Sequence, residues 1–126
     1  MQITIRTIPH SEQRYPTCGD WQNLPNGDLL ITISEMNDWK KEFLVAFHEL
    51  AEVMLCKDRG IEQELVDRFD MEYEAHRSDW DRTSEPGDAA GAPYHREHFF
   101  ATSVERLMAA ELGVDWSEYE KVIMGL

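Results

Sequence analysis

Between about Trp39 and Lys57 the chain carries an apolar repeat of helical period that is interrupted by His48, Glu49 and Glu52, an HExxE pattern. Asn37 or Asp38 can cap this helix, and Gly60, after Lys57 and Arg59, can stop it. Residues four apart share one helix face, so His48 and Glu52 stand one turn apart, beside a stripe that includes Leu44, Phe47, Ala51, Met54 and Leu55. An ionised carboxylate at the edge of a core is costly unless it is solvated, paired or bound to a cation. The fold must therefore bring water, a counter-charge or a metal to this face. If it brings a metal, His48 and Glu52 are placed to hold it and Glu49 to address a water bound to it.

Composition narrows the classes. At 126 residues, with 42% hydrophobic and 10% aromatic residues, the chain suits one folded domain spanning 1–126 rather than two, and it is too apolar for a disordered tail. The formal charge of -13, from 25 acidic against 12 basic residues, repels phosphate backbones and anionic membranes, so nucleic acid and membrane surfaces are poor partners. The same carboxylates suit divalent cations or simply solubility. No apolar run is long enough to span a bilayer and the N-terminus lacks a signal-peptide core, so a cytoplasmic location is expected. Cys18 and Cys56 make no disulfide framework. No Gly-rich phosphate loop or GxSxG elbow is present.

The remaining elements follow from periodicity and punctuation. Gln2 to Ile8 alternates apolar and polar residues before Pro9, a first strand; His10 to Asn23 reads as a loop; Leu24-Pro25-Asn26-Gly27-Asp28 is a turn before a second strand, Leu29 to Ile33, paired with the first. A second helix starts near Ile61 and fades near Arg77, with Leu65, Val66, Phe69 and Tyr73 at helical spacing. Ser78 to Ala92 has no period and reads as a long loop. Pro93 can open a third helix that runs to Leu112 before Gly113, and Asp115 with Glu118 starts a last one from Trp116 to about Met124. The fold class expected is α+β: a short N-terminal antiparallel β-hairpin packed with three or four α-helices.

Further metal ligands are sought where a polar side chain interrupts an apolar stripe. In the third helix His98, Ala101, Glu105, Met108 and Leu112 share a face, so His98 is the first candidate, with Glu105 either its hydrogen-bond acceptor in the core or the group that orients it as a ligand. In the second helix Asp70 falls in line with Val66 and Tyr73 and is the next candidate; Asp67, Glu72, Glu74 and His76 read as a solvated face. His10 and His95 receive no role, and Cys18 lacks a CxxC partner.

A strand feeding through a short turn into an HExx helix, about residues 28 to 56, resembles the core of small zincins, especially the ImmA/IrrE-type peptidases, while the rest of the chain looks like small phage or prophage proteins. The resemblance implies a zincin-like fold, His48 and Glu52 as ligands, Glu49 as general base, a third ligand from a later helix, and the host cytoplasm if the protein is phage-encoded. It departs from the family in carrying Glu52 where a second histidine would stand, which favours metal binding over peptide hydrolysis.

Glu49-x-x-Glu52 with Glu64-x-x-Asp67 also looks like the paired acids of the MazG-type nucleotide pyrophosphohydrolases, which would imply magnesium. A non-catalytic acidic protein that binds a protein or peptide partner is the third reading. The first is preferred: a divalent-metal-binding, zincin-like protein, hydrolytic if Glu49 acts as base, with zinc the leading metal and manganese or magnesium the alternatives.

Overall fold

The computed structural model describes residues 1–81 and 83–126. Its centre is strand β3 (Leu29–Ser34), flanked by β1 (Ile3–Ile8) and β2 (Gly19–Asn23) in the order β1-β3-β2. Leu29, Ile31 and Ile33 turn inward to the helices and are buried. On the opposite face Thr32 and Ser34 are covered by the segment after β1: Gln13 donates to Ser34 Oγ and accepts from Thr32 Oγ1, and His10 pairs with Ser34 Oγ. Two polar residues are thus buried with partners.

The expected hairpin is corrected here. β1 runs parallel to β3, with Ile5 opposite Ile31, and the antiparallel partner of β3 is β2, with Trp21 opposite Ile31. The turn Leu24 to Asp28, with Gly27 at φ 88°, therefore closes β2 onto β3. Residues 19 to 23, expected in a loop, pair because β3 offers them a free edge; Gly-Asp-Trp-Gln-Asn has no alternation of its own to announce a strand.

Four helices complete the α+β fold: α1 (Trp39–Asp58), α2 (Gln63–Ala75), α3 (His95–Glu111) and α4 (Trp116–Met124). Asp38 caps α1, accepting from the backbone N–H groups of Lys40 and Lys41, and Asp115 caps α4 through Glu118 N–H. Lys40 Nζ donates to the carbonyl of Leu112, which ties the start of α1 to the end of α3. α3 starts at His95 rather than Pro93, two residues later than expected. Ser78 to Ala92 contains a 3-10 turn at Pro86–Asp88; Arg82 of that loop lies outside the described residues. Among the described residues no helix is long and apolar enough to cross a membrane.

The buried face of α1 also differs from expectation. It runs through Leu44, Val45, His48, Glu52, Val53 and Cys56, whereas Phe47, Ala51, Met54 and Leu55 are only partly covered. His48 and Glu52 do not border the core; they are part of it. α1 packs along α3, where Ala101 and Ala109 are buried and let the two backbones approach. The packing makes a contrast within one helix: Leu44→Ala is expected to lower the unfolding free energy by about 2–5 kcal/mol, and Phe43→Ala, at a half-exposed neighbour, by under about 1 kcal/mol, both read by urea titration.

Candidate metal centre

Three elements deliver one polar cluster into this core. α1 supplies His48 and Glu52, α3 supplies His98 one turn from its start, and β2 supplies Trp21. Glu52 is 4% exposed, His98 6% and His48 7%. His48 Nε2 lies 3.1 Å and His98 Nδ1 2.9 Å from the same oxygen, Glu52 Oε2. The other carboxylate oxygen, Oε1, accepts from Trp21 Nε1 at 3.1 Å. The two imidazoles meet edge to face, ring centroids 4.8 Å apart.

The far nitrogen of each ring is held as well. His48 Nδ1 faces Glu105 Oε1 at 2.8 Å, and Glu105 Oε2 accepts from the buried Tyr119 hydroxyl at 2.5 Å. His98 Nε2 faces Glu85 Oε2 at 3.0 Å and Asp88 Oδ1 at 3.2 Å. The turn that carries these acids lies flat on the ring: a Cβ at Gly87 would come within 2.3 Å of His98 Cγ. Glu105 was expected to orient His98; it pairs with His48 instead, because α3 aims His98 at the loop and Glu105 across to α1.

This alternation of imidazole and carboxylate dominates the electrostatics. Burial pulls the His48 imidazole down, but hydrogen bonds to Glu105 and Glu52 outweigh it and hold the ring well above its ordinary value. His98 behaves alike: burial opposes, Asp88, Glu52 and Glu85 prevail, and the ring rises to about 12. Burial would raise Glu52, yet the two imidazoles take it down to about 2. Without a metal, each ring is an imidazolium that donates through both nitrogens. Loss of one proton from each leaves His48 Nε2, His98 Nδ1 and a Glu52 oxygen facing one another, all within 4.8 Å, a set able to hold one cation. A second grouping, Glu85, Asp88 and His98, shares the same ring from its other side, with both acids exposed.

The remaining candidates line the same cleft, about 90 Å³ in volume. Glu49 lies over Gly19, whose added Cβ would sit 2.7 Å from Glu49 Oε1, and no described residue donates a hydrogen bond to its carboxylate. Burial and then Glu52 push that carboxyl well above the usual range. Asp70 lies outside both metal groupings: Oδ1 accepts from Tyr94 at 2.5 Å and Oδ2 from Tyr15 at 3.1 Å. Of the acids considered for a magnesium site, Glu64 is exposed and Asp67 is bound by Arg14, so the described residues do not bring that quartet together.

Sequence reasoning missed Trp21, Glu85, Asp88 and Tyr119. Tyr119 had a signal, since Trp116, Tyr119 and Ile123 form a stripe on α4; the others lie in stretches without period. No protein-family model matches the chain, and no curated protein or solved structure matches it.

Asp70 gives the site a testable pH dependence. Burial, partly offset by hydrogen bonds from Tyr94 and Tyr15, lifts its carboxyl from 3.8 to about 7. The folded chain then holds this proton to higher pH than the unfolded one, so the stability it contributes is complete below 3.8 and is lost as pH rises through about 7. Asp70→Asn, neutral at every pH, is expected to gain stability relative to wild type between about pH 4 and pH 8, read by urea unfolding at both. A difference that stays constant with pH contradicts the assignment.

Proposed function

We propose that this chain holds one divalent cation, zinc, between α1 and α3 through His48, Glu52 and His98, and that it is a zincin-like hydrolase acting in the cytoplasm on a peptide or similar carbonyl substrate. The observation that carries the reading is the buttressing of each ligand. His48 has Glu105 behind it, His98 has Asp88 and Glu85, and Glu52 has Trp21 on its second oxygen. Groups that bind metals are characteristically fixed in this way by partners on the atom turned away from the ion. A buried histidine kept only for packing needs one partner, not two charged ones.

Zinc fits the donors best. Two nitrogens and one carboxylate oxygen, fixed on two packed helices, suit a small borderline cation that accepts low coordination; magnesium prefers an all-oxygen shell and manganese more oxygen than this set offers. Two imidazoles and one carboxylate are also a donor set that catalytic zinc uses, with a further position left open. When bound, such a cation supplies Lewis acidity and a water of lowered pKa.

The protein's own part in hydrolysis falls to Glu49. Its carboxylate faces the cleft without a donor on it among the described residues, and burial, then Glu52, raise its proton affinity above that of an ordinary carboxylate, the direction that suits a general base. Trp21, Val45 and Tyr94 line the same cleft and limit water around the reacting groups. Cys18 and Cys56 are unbonded thiols, consistent with a reducing compartment.

Elemental analysis of protein purified without added metal is expected to find about one zinc per chain. His48→Ala, Glu52→Ala and His98→Ala should each lose it, while Glu105→Gln should weaken zinc binding by roughly 10- to 100-fold. Glu49→Gln should keep the zinc and cut hydrolysis of a mixed peptide library by roughly 100-fold or more. A metal-free protein whose thermal unfolding ignores chelator overturns the metal site; full zinc with hydrolysis indifferent to Glu49→Gln overturns the base.

A further inference from the structure

The acids around the cleft are unequal in one respect, which is whether each has a counter-charge. Arg14 engages Asp20 through Nε at 2.7 Å and Asp67 through its Nη1 nitrogen at 3.1 Å. Arg77 grips both oxygens of Glu74, at 2.7 and 2.8 Å. Glu52, Glu85 and Glu105 meet the two imidazoles. Among the described residues, Glu49 and Asp70 are left without a cationic partner. Glu49 has its role in the hydrolytic reading. Asp70 has none.

Asp70 is 7% exposed, and both groups that bind it are neutral hydroxyls, from Tyr15 in the loop after β1 and Tyr94 at the start of α3. A buried carboxylate without a counter-charge is costly and is relieved either by a proton or by a cationic partner. The two tyrosines also leave it acceptor capacity: a carboxylate has about four lone-pair positions and here two are used. The tyrosines aim the group from two sides, as a recognition site requires, and all three side chains line the cleft beside His98 and Glu52. The cleft has room for several waters, which a ligand group would displace. Among the described residues no Lys or Arg side chain lines it.

We propose that Asp70 is the counter-charge for an alkylammonium or guanidinium group of the molecule that enters the cleft, so that the substrate is a peptide with a lysine or arginine side chain next to the bond at the metal. The substrate class rests on the hydrolytic reading above; the cation pocket does not. Asp70 is a specificity-determining residue, with Tyr15 and Tyr94 positioning it. Entry of the cation supplies the missing partner of a buried charge, so binding and carboxylate ionisation favour each other. Of the α2 acids that line the cleft, Asp67 is held by Arg14 and Glu74 by Arg77, which leaves Asp70 to discriminate.

The test compares N-acetyl-lysine-N-methylamide with its uncharged analogue, N-acetyl-norleucine-N-methylamide, titrated into the full chain and followed by NMR, with zinc content measured on the same samples. The lysine probe is expected to bind at least about tenfold more tightly, the effect of one charge-assisted hydrogen bond in a desolvated site. Asp70→Asn should erase that preference; Glu74→Gln, which removes an acid already held by Arg77, should leave it intact. Equal binding of the two probes by wild type overturns the proposal and needs no variant, so it stands as a test even if Asp70→Asn fails to fold. A preference that survives Asp70→Asn overturns it too, as does a second zinc per chain that Asp70→Asn removes. Zinc-free protein that still prefers lysine would sink the hydrolase reading and keep the cation pocket. Zinc-loaded protein indifferent to the probe's charge would do the reverse.

Discussion

A single buried carboxylate organises this molecule. Glu52 sits in the middle of the α1 face that packs against α3 and the sheet, where an ionised group is costly unless its oxygens are satisfied. Three elements satisfy it: α1 itself through His48, α3 through His98, and β2 through the indole of Trp21. Trp21 contributes twice, since its ring belongs to the apolar core and its N–H reaches the charge. Moving any of these elements strands a charge in low dielectric, a penalty larger than most single apolar contacts give back. The polar cluster thus sets the relative positions of α1, α3 and β2 with a specificity that apolar packing alone lacks.

That dependence explains which parts of the fold could be read from the residues. The helices could, because their ends are announced by local chemistry: Asp38 and Asp115 cap as expected, and Gly60 and Gly113, both at φ 68°, end α1 and α3. The sheet could only in part: strands β1 and β3 and their pairing with each other were legible, the parallel direction of that pairing and strand β2 were not. Strand β2 owes its conformation to the edge of β3 and to the closing turn, and the parallel pairing of β1 depends on where the intervening segment crosses, a long-range matter that alternation does not encode. The α1 stripe was drawn one face away for a related reason. Seeking the core among apolar residues alone fails where the centre of the core is a histidine and a glutamate.

The site shows the same division. Interruption of an apolar stripe singled out His98, Glu105 and Asp70 as buried polar groups, and all three are buried. A stripe reports the face of a helix and not what lies across from it, so Glu105 was matched to the histidine on its own helix when its partner stands on α1, and Asp70 was matched to a metal when two tyrosines hold it. Trp21 and Asp88 were missed because each lies in a segment without period, and their roles come only from the loop and strand being brought onto α1 and α3.

The departure from a two-histidine helix takes a different meaning once His98 is in place. On the reading proposed here, the helix that would carry two histidines carries one, with Glu52 in the place of the second, and α3 supplies the other imidazole, His98, as the third ligand. The ligand set keeps two nitrogens and one anionic oxygen, and with it the charge that a cation would experience from its direct ligands. What differs is the surrounding charge. Glu105 behind one ring, Glu85 and Asp88 behind the other, and Glu49 beside Glu52 make the imidazoles strong donors and the pocket negative. Negative surroundings tighten the hold on a divalent cation and at the same time make a water bound to it less acidic. A cation held there would be bound tightly and would activate water less, and a substrate that brings its own positive charge would offset the excess.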